Sequence, residues 1–151
     1  MCLHDPVTAA FHVRPGDLDS QGHVNNARVL EFLEHGRWLW LRQQDLELGI
    51  QVAAVVMRAE VDYRREIGWG EVIVSTRLRA YGESAYRVVF EQQLSAPGPT
   101  GVLLASALMQ VAFVDVASRS LVSVEDALAA SGDARRACSP GASSLNPQGT
   151  S

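Results

Sequence analysis

The densest cluster of reactive side chains lies in residues 17–26, whose sequence is DLDSQGHVNN. It holds two carboxylates, one imidazole and three side-chain amides. An amphipathic pattern typical of a helix follows at once, so the cluster stands before a helix N-terminus, where unpaired backbone N–H groups carry partial positive charge. A carboxylate at such a place can attack a carbonyl carbon, or activate water toward it, while the N–H groups stabilise the negative oxygen that forms. The spacing therefore indicates acyl chemistry.

The same residues also suit a purely structural role. Asn and Asp are favoured helix caps, and Gly22 with His23 fits a tight surface turn. Asp17 fits a cap or turn better than a catalytic role, because Asp side chains readily bond to nearby backbone N–H groups. The cluster alone supports either a catalytic or a capping interpretation, and the rest of the chain has to separate them.

The composition is that of one ordinary globular domain. With 151 residues, 47% of them hydrophobic, the chain is long enough to bury its own core. The formal net charge of −4 gives no reason to expect a nucleic-acid partner. No apolar run approaches the roughly 20 residues that span a membrane, and the first residues lack the pattern of a signal peptide. Cys2 and Cys138 lie in presumed tails, so we expect no disulfide and a cytoplasmic location.

The basic residues exclude several classes of enzyme. All 13 are arginine, and the absence of lysine excludes a Schiff-base enzyme and a P-loop nucleotide site. Arginines still allow bidentate binding of phosphates, so an anionic small molecule is a plausible substrate. The spacing of His, Cys, Asp and Glu matches no metal site, and we predict no metal.

An apolar stripe at helical spacing predicts a long helix from about residue 26 to residue 44. The stripe consists of Val29, Leu33, Gly36 and Trp40. Because a glycine inside the stripe lowers helix stability, we expect Gly36 to let the helix lie close to a sheet. Trp38 and Leu41 fall outside the stripe, so we expect both to be exposed and to contact another subunit.

Beyond residue 49 the hydrophobic period changes to about 2, which predicts strands. They cover residues 55–64, 72–80, 86–94 and 102–116 and follow a first strand at 7–13. The strand at 102–116 is apolar on both faces, which is typical of an interior position in a sheet. A capping box at Ser123–Asp126 predicts a short helix that ends at Ala130.

These elements predict an α+β domain over residues 1–131, in which one long helix packs on a five-stranded antiparallel sheet. A single helix covers only one face of such a sheet, so the apolar residues left exposed favour dimerisation. Ser, Gly, Pro, Asn and Gln dominate residues 132–151, for which we predict a disordered tail.

With this order of elements, the chain resembles the hotdog fold, in which a sheet wraps around one long central helix. More specifically, residues 17–26 resemble the D-x-D-x-x-G-H-V-N-N signature of the acyl-CoA thioesterases related to 4-hydroxybenzoyl-CoA thioesterase. Residues 18–26 also resemble a segment of the plant acyl-ACP thioesterases. Residues 61–64 and 70–72 are similar to the family's second and third strands. The resemblance extends from about Thr8 to Ser123.

The resemblance implies an enzyme that hydrolyses acyl-CoA or acyl-ACP thioesters, with no cofactor besides the coenzyme A of its substrate. Asp19 would act as nucleophile or general base, the backbone N–H of Asn26 would polarise the thioester carbonyl, and His23 would assist. Residues expected to bind substrate are Gln21, Gly22, Val24, Asn25, Arg64 and Arg65, and Arg87 is a further candidate for the phosphates. The plant enzymes carry asparagine where this chain has Gln21. The family also implies a homodimer with sites built from both chains, or a homotetramer of paired dimers.

Two other functions fit the same residues. A hotdog hydratase or dehydratase also pairs an Asp with a His, although the H-V-N-N context argues against it. A non-catalytic acyl-binding protein could keep the fold, although the presence of both Asp19 and His23 argues against lost activity. Hydration of crotonyl-CoA without thiol release would identify the first, and acyl-CoA binding without turnover the second.

Overall fold

The computed structural model describes residues 5–44, 51–81 and 84–130. Its elements in chain order are β1 (Val7–His12), a 3-10 turn (Pro15–Asp17), α1 (Asn26–Gln43), β2 (Val52–Tyr63), β3 (Glu71–Tyr81), β4 (Arg87–Ser95), β5 (Leu103–Asp115), β6 (Leu121–Val122) and α2 (Val124–Ala130). The predicted tail at 132–151 and both cysteines lie outside the described residues. Within the described residues, neither helix is long and apolar enough to cross a membrane.

The sheet is antiparallel and has the strand order β1-β3-β4-β5-β2. The predicted five strands are therefore confirmed, and the two-residue β6, which pairs with β5, is an addition that its shortness hides in the sequence. β5 lies between β4 and β2, in the interior of the sheet as its apolar sequence predicted. β2 forms one edge, although it is one of the longest strands.

The apolar stripe of α1 faces the sheet as predicted. Val29, Leu33, Gly36 and Trp40 are all buried. The Trp40 ring meets the Phe90 ring edge-on, with 5.1 Å between centroids. Trp38 is 43% exposed, as expected, but the prediction of an exposed Leu41 is wrong because its exposed fraction is 4%. Leu41 lies about 100° around the helix from Trp40. It is buried against the neighbouring strands because the sheet curves around more of the helix than one stripe.

Gly36 is the point of closest approach between α1 and the sheet. A Cβ atom at this position would lie 2.6 Å from Val74 Cγ1 and 2.8 Å from Thr76 Oγ1. Beside it, the amide nitrogen of the fully buried Gln92 donates hydrogen bonds to the carbonyl oxygen of Leu33 and to Thr76 Oγ1, both at 2.8 Å. The predicted close contact is confirmed, and a buried amide joins the helix backbone to two strands there.

We expect Gly36→Ala to destabilise the protein. Alanine would favour the helix by about 0.5–1 kcal/mol, but overpacking against stiff, β-branched Val74 and Thr76 costs typically about 1–3 kcal/mol. Urea denaturation followed by circular dichroism measures the net free energy of unfolding. Gly68→Ala is the control, because nothing lies within 4 Å of its added Cβ. A variant as stable as the parent would contradict the close packing assigned to Gly36.

Candidate active site

Asp17 holds the loop that precedes α1. Its buried carboxylate accepts a hydrogen bond from the backbone N–H of Arg14 at 2.7 Å, and Arg28 Nε lies 3.4 Å from its other oxygen. Its carbonyl oxygen accepts the N–H of Asn25 at 2.9 Å. Asp17 therefore has the turn-forming contacts expected from its position, and these contacts bring the loop up to the helix start.

Asp19 is exposed, and the chain folds around its carboxylate. Oδ1 accepts the backbone N–H of Gln21 at 2.9 Å and that of His23 at 3.0 Å. The Asp19 N–H in turn donates to the carbonyl oxygen of His23 at 2.7 Å, and Gly22 adopts a φ of +80° that closes the turn. The hydrogen bonds from the N–H groups of His23 and Gln21 lower the pKa of Asp19 below its ordinary 3.8. The carboxylate is thus ionised at neutral pH, and Oδ2 has no hydrogen-bond partner within the described part of the chain.

The first turn of α1 presents a free backbone donor. Asn25 is the N-cap, and its Oδ1 accepts the N–H of Ala27 at 2.9 Å. No acceptor for the N–H of Asn26 lies among the residues that the structure describes. The Tyr63 hydroxyl donates to the carbonyl oxygen of Asn26 at 3.2 Å, so the end of β2 touches this turn. The free N–H can therefore bind an oxygen from solvent or substrate.

Backbone contacts bring the loop to the segment that follows β2. The N–H of Val24 donates to the carbonyl oxygen of Ile67 at 2.7 Å, and those of Arg64 and Arg65 donate to the carbonyl oxygen of Leu104 at 2.9 and 3.1 Å. These bonds hold the two segments together, and an open cavity of about 400 Å³ lies between them. Its lining consists of Asp19, His23, Val24, Asn26, Val29, Tyr63, Arg64, Arg65, Glu66 and Ile67.

Six of the predicted site residues line this cavity, and four do not. Those that do are Asp19, His23, Val24, Asn26, Arg64 and Arg65. Gln21 and Gly22 instead shape the turn around the carboxylate, and Asn25 caps the helix. Arg87 of β4 pairs with Ala112 of β5. Tyr63, which lines the cavity, pairs with a residue of β5 that lies seven positions away, Ala105. That separation is about 23 Å at the rise of a strand, so Arg87 is remote from the cavity.

Sequence reasoning missed Glu66 and Tyr63. Glu66 Oε2 lies 3.2 Å from His23 Nε2, close enough for an ion pair when the imidazole is protonated. The signal available was the sequence Tyr63-Arg-Arg-Glu66, where the alternation of β2 gives way to consecutive polar residues. The tertiary contacts of the segment, such as the hydrogen bond from Val24 to Ile67, are what show that it faces the loop.

The two cavity arginines have few internal partners. Arg64 Nε donates to Ser106 Oγ at 3.4 Å, and one of its terminal nitrogens lies 3.9 Å from Asp62. Within the described residues, the side chain of Arg65 has no ion-pair partner. In the same part of the chain, no group of three or more His, Cys, Asp or Glu residues could hold a metal ion. Two exposed arginines therefore line the cavity, and their guanidinium groups have donors left to bind an anion.

Known proteins similar to this chain share both the sequence family and the fold. Residues 13–132 match the thioesterase-like superfamily. The long-chain acyl-CoA thioesterase FadM of Escherichia coli strain K12 is 31% identical over 121 residues, which cover 77% of this chain and 89% of FadM. The structure of PA2801 from Pseudomonas aeruginosa is 28% identical, with a TM-score of 0.71 over 86% of this chain and 98% of that one.

A more distant structure supports the fold alone. Slr0204, a 1,4-dihydroxy-2-naphthoyl-CoA thioesterase from Synechocystis, is 19% identical and has a TM-score of 0.71 over 84% of this chain and 95% of that one. Together with the observed layout of one helix on an antiparallel sheet, these similarities confirm the predicted hotdog fold.

We expect the Asp19 carboxyl to titrate below 3.8, the ordinary value for its pKa. Its stabilising hydrogen bonds form only in the folded chain, so their contribution is complete above 3.8 and is lost as the pH falls through the lowered folded-state pKa. The ¹³C shift of the carboxyl carbon against pH measures this titration. A synthetic peptide of residues 17–26 is the reference, and equal pKa values in protein and peptide would contradict the observed turn.

Proposed function

The chain belongs to the thioesterase-like superfamily and is a thioester hydrolase; we propose that it cleaves acyl-CoA and that Asp19 carries the reaction. The observation that carries this proposal is the pairing of an ionised carboxylate with a free helix N–H in one cavity. A thioester has little resonance stabilisation, so a carboxylate and an oxyanion site suffice without a serine or cysteine nucleophile.

Oδ2 is the oxygen of Asp19 that we assign to the reaction. Oδ1 accepts two backbone N–H groups, which fix the orientation of the carboxylate, whereas Oδ2 has no partner in the described residues. The thioester carbonyl oxygen would lie at the N–H of Asn26, where the helix start stabilises the negative charge of the tetrahedral intermediate. The carbonyl carbon would then face Oδ2.

Two routes satisfy this geometry. As a general base, Asp19 takes a proton from water while the water oxygen bonds to the carbonyl carbon. The intermediate then expels the thiolate, which receives that proton. As a nucleophile, Asp19 bonds to the carbonyl carbon and the thiolate leaves. Water then hydrolyses the mixed anhydride, giving one proton to the thiolate and restoring the carboxylate.

His23 and Glu66 form the second polar pair of the proposed site. The imidazole is about two-thirds buried, and its Nε2 faces the Glu66 carboxylate at 3.2 Å. A carboxylate partner fixes the orientation of the imidazole ring, which when protonated can give a proton to a leaving thiolate. We therefore assign His23 to proton transfer and Glu66 to holding it in place.

Coenzyme A would occupy the mouth of the cavity. Arg64 and Arg65 stand there with guanidinium groups that bind phosphate oxygens in bidentate fashion. An acyl carrier protein presents a similar phosphorylated arm, so acyl-ACP is the alternative form of the substrate. The cytoplasmic location expected from the cysteine usage belongs to the same proposal.

The proposal includes a homodimer joined along β2. Among the described residues, no strand lies beyond the outer edge of this 12-residue strand, and an unpaired edge of that length favours pairing with another strand. The strand also exposes Val55, Val56, Met57 and Tyr63, and Trp38 of α1 is exposed on the helix. A second copy would cover these residues and place its own loop near the cavity, and two dimers could form a tetramer.

The two other functions considered from the sequence predict different products from the proposed hydrolysis. A hydratase would need a second proton-transfer group beside the β-carbon of an enoyl chain, and His23 with Glu66 is the pair that could supply it. It would hydrate crotonyl-CoA and release no thiol. A non-catalytic protein would bind acyl-CoA and turn over neither substrate. The free N–H at Asn26 and the ionised Asp19 favour hydrolysis.

We expect Asp19→Asn to lower thioester hydrolysis by about a hundredfold or more, because the amide neither attacks nor accepts a proton. Thiol release from a panel of acyl-CoA thioesters measures the rate, and circular dichroism verifies the fold. His23→Ala should lose less activity. Glu125→Gln, which removes an exposed carboxylate from α2, is the matched control. Near-normal turnover in Asp19→Asn would remove Asp19 from the mechanism.

We expect the chain to sediment as a dimer or tetramer, and Val55→Lys to shift it toward monomer because a lysine on an edge strand opposes pairing. Analytical ultracentrifugation over a range of protein concentrations measures the assembly, with the activity assay beside it. Leu121→Lys, which alters another exposed apolar residue outside β2, is the control. A fully active monomer at low nanomolar concentration would contradict the proposal that each site is built from both chains.

A further inference from the structure

Arg37 is a buried cation that has no carboxylate partner within ion-pair distance in the described part of the chain. Its exposed fraction is 9%, although it lies on the long helix among apolar neighbours. Burial lowers the pKa of its guanidinium, and the charge of Glu34 opposes that change, so the group stays cationic. Among the described residues, the unpaired nitrogens of Arg37 are not fully buried, so they can donate to an acceptor that enters from outside.

Gln92 fixes the position of this guanidinium. Its Oε1 accepts a hydrogen bond from an Arg37 terminal nitrogen at 2.8 Å, while its own nitrogen donates to Leu33 and Thr76. Gln92 is fully buried, so the guanidinium is fixed to the sheet rather than free to swing into solvent. The remaining guanidinium donors have no acceptor in the described residues.

The guanidinium lines a small apolar cavity between α1 and the strands. The cavity holds about 40 Å³, and its walls are Arg37, Glu34 and six apolar residues that include Trp38, Val56 and Phe90. At roughly 10–15 Å³ for each water-sized group, it has room for about three such groups. That is the size of a terminal carboxylate or hydroxymethyl group.

One apolar face of β2 extends from this cavity to the catalytic one. The residues of β2 that face the helix are Ala54, Val56, Ala59, Val61 and Tyr63, paired with the buried Phe113, Val111, Met109, Ala107 and Ala105 of β5. The helix packs mainly on β1 and β3, so this side of β2 stays open, with Val56 43% and Tyr63 45% exposed. Tyr63 lines the catalytic cavity and Val56 the cavity at Arg37.

The spacing along α1 fits one extended acyl chain. Arg37 lies 11 residues after Asn26, which is three turns and places both on one side of the helix. The axial separation is about 16 Å at 1.5 Å per residue. A fully extended hydrocarbon advances about 1.25 Å per carbon, from a C–C bond of about 1.5 Å, so roughly a dozen carbons span the distance.

We propose that Arg37 recognises an oxygen acceptor, a hydroxyl or a carboxylate, at the far end of an acyl chain whose thioester lies at Asp19 and Asn26. This inference rests on the proposed thioesterase function and adds its substrate class, ω-oxygenated acyl groups of about a dozen carbons. Glu34 lines the same cavity, and its charge determines whether a hydroxyl or a carboxylate binds better. A hydroxyl can accept from Arg37 and donate to Glu34, whereas a carboxylate meets the repulsion of Glu34.

The test compares kcat/KM for dodecanoyl-CoA, ω-hydroxydodecanoyl-CoA and dodecanedioyl-CoA by thiol release. The wild-type enzyme should prefer at least one oxygenated substrate by about tenfold, the value of one well-placed hydrogen bond to a charged group. In Arg37→Met the preference for oxygenated substrates over dodecanoyl-CoA should vanish, because methionine has no N–H donor. Arg37→Lys should keep part of it, and Glu34→Gln should raise the relative rate on dodecanedioyl-CoA.

Each result separates this inference from the proposed function. No thiol release from any of the three substrates would refute the thioesterase proposal itself. If the wild-type protein hydrolyses dodecanoyl-CoA at least as fast as the two oxygenated substrates, the thioesterase proposal stands and the proposed role of Arg37 is wrong. This comparison needs only the wild-type protein. An equal loss on all three substrates in Arg37→Met, with dissociation of the dimer in the ultracentrifuge, would assign the guanidinium to a carboxylate of a second copy instead.

Discussion

The close approach of α1 to the sheet at Gly36 determines where every other part of the site can lie. With no Cβ at this position, the helix backbone comes within contact distance of Val74 and Thr76, and the buried Gln92 joins the two layers by hydrogen bonds. A helix held at one point near its middle has a defined axis. Its N-terminus then projects toward the end of β2, where Tyr63 contacts Asn26. The free N–H of the helix start is consequently aimed at a fixed place.

The reactive carboxylate is held by backbone rather than by burial. Asp19 is exposed, yet two N–H groups from its own turn orient it, and Asp17 and Val24 hold that turn against the helix start and the segment after β2. Hydrogen bonding to the charged form keeps the pKa of Asp19 low because it outweighs the smaller, opposite effect of desolvation. This arrangement suits a nucleophile or base that must stay ionised in an open cavity, and it leaves one carboxylate oxygen available.

Polar and apolar surfaces lie at different places along one side of the helix. Near Asn26 the cavity is charged and open, as a phosphorylated thiol carrier requires, whereas the floor along β2 is a run of alanine, valine and tyrosine. This floor stays uncovered because α1 packs mainly on β1 and β3. An acyl chain and a second subunit are both suited to cover it, and the buried cation at its far end favours a chain that carries oxygen.

The sequence by itself determined the elements, the position of the reactive loop and the reason for a glycine inside the helix, because each depends on local spacing. Hydrophobic periods of 3.6 and 2 specify which faces are buried, and the residue types of the loop specify its turns. Tertiary structure decided the rest. Leu41 is buried because the sheet curves beyond one helical stripe, and Glu66 faces His23 because Val24 bonds to Ile67. Arg37 meets Gln92 across 55 residues of chain, a contact that depends on sheet order and curvature, which local spacing does not encode.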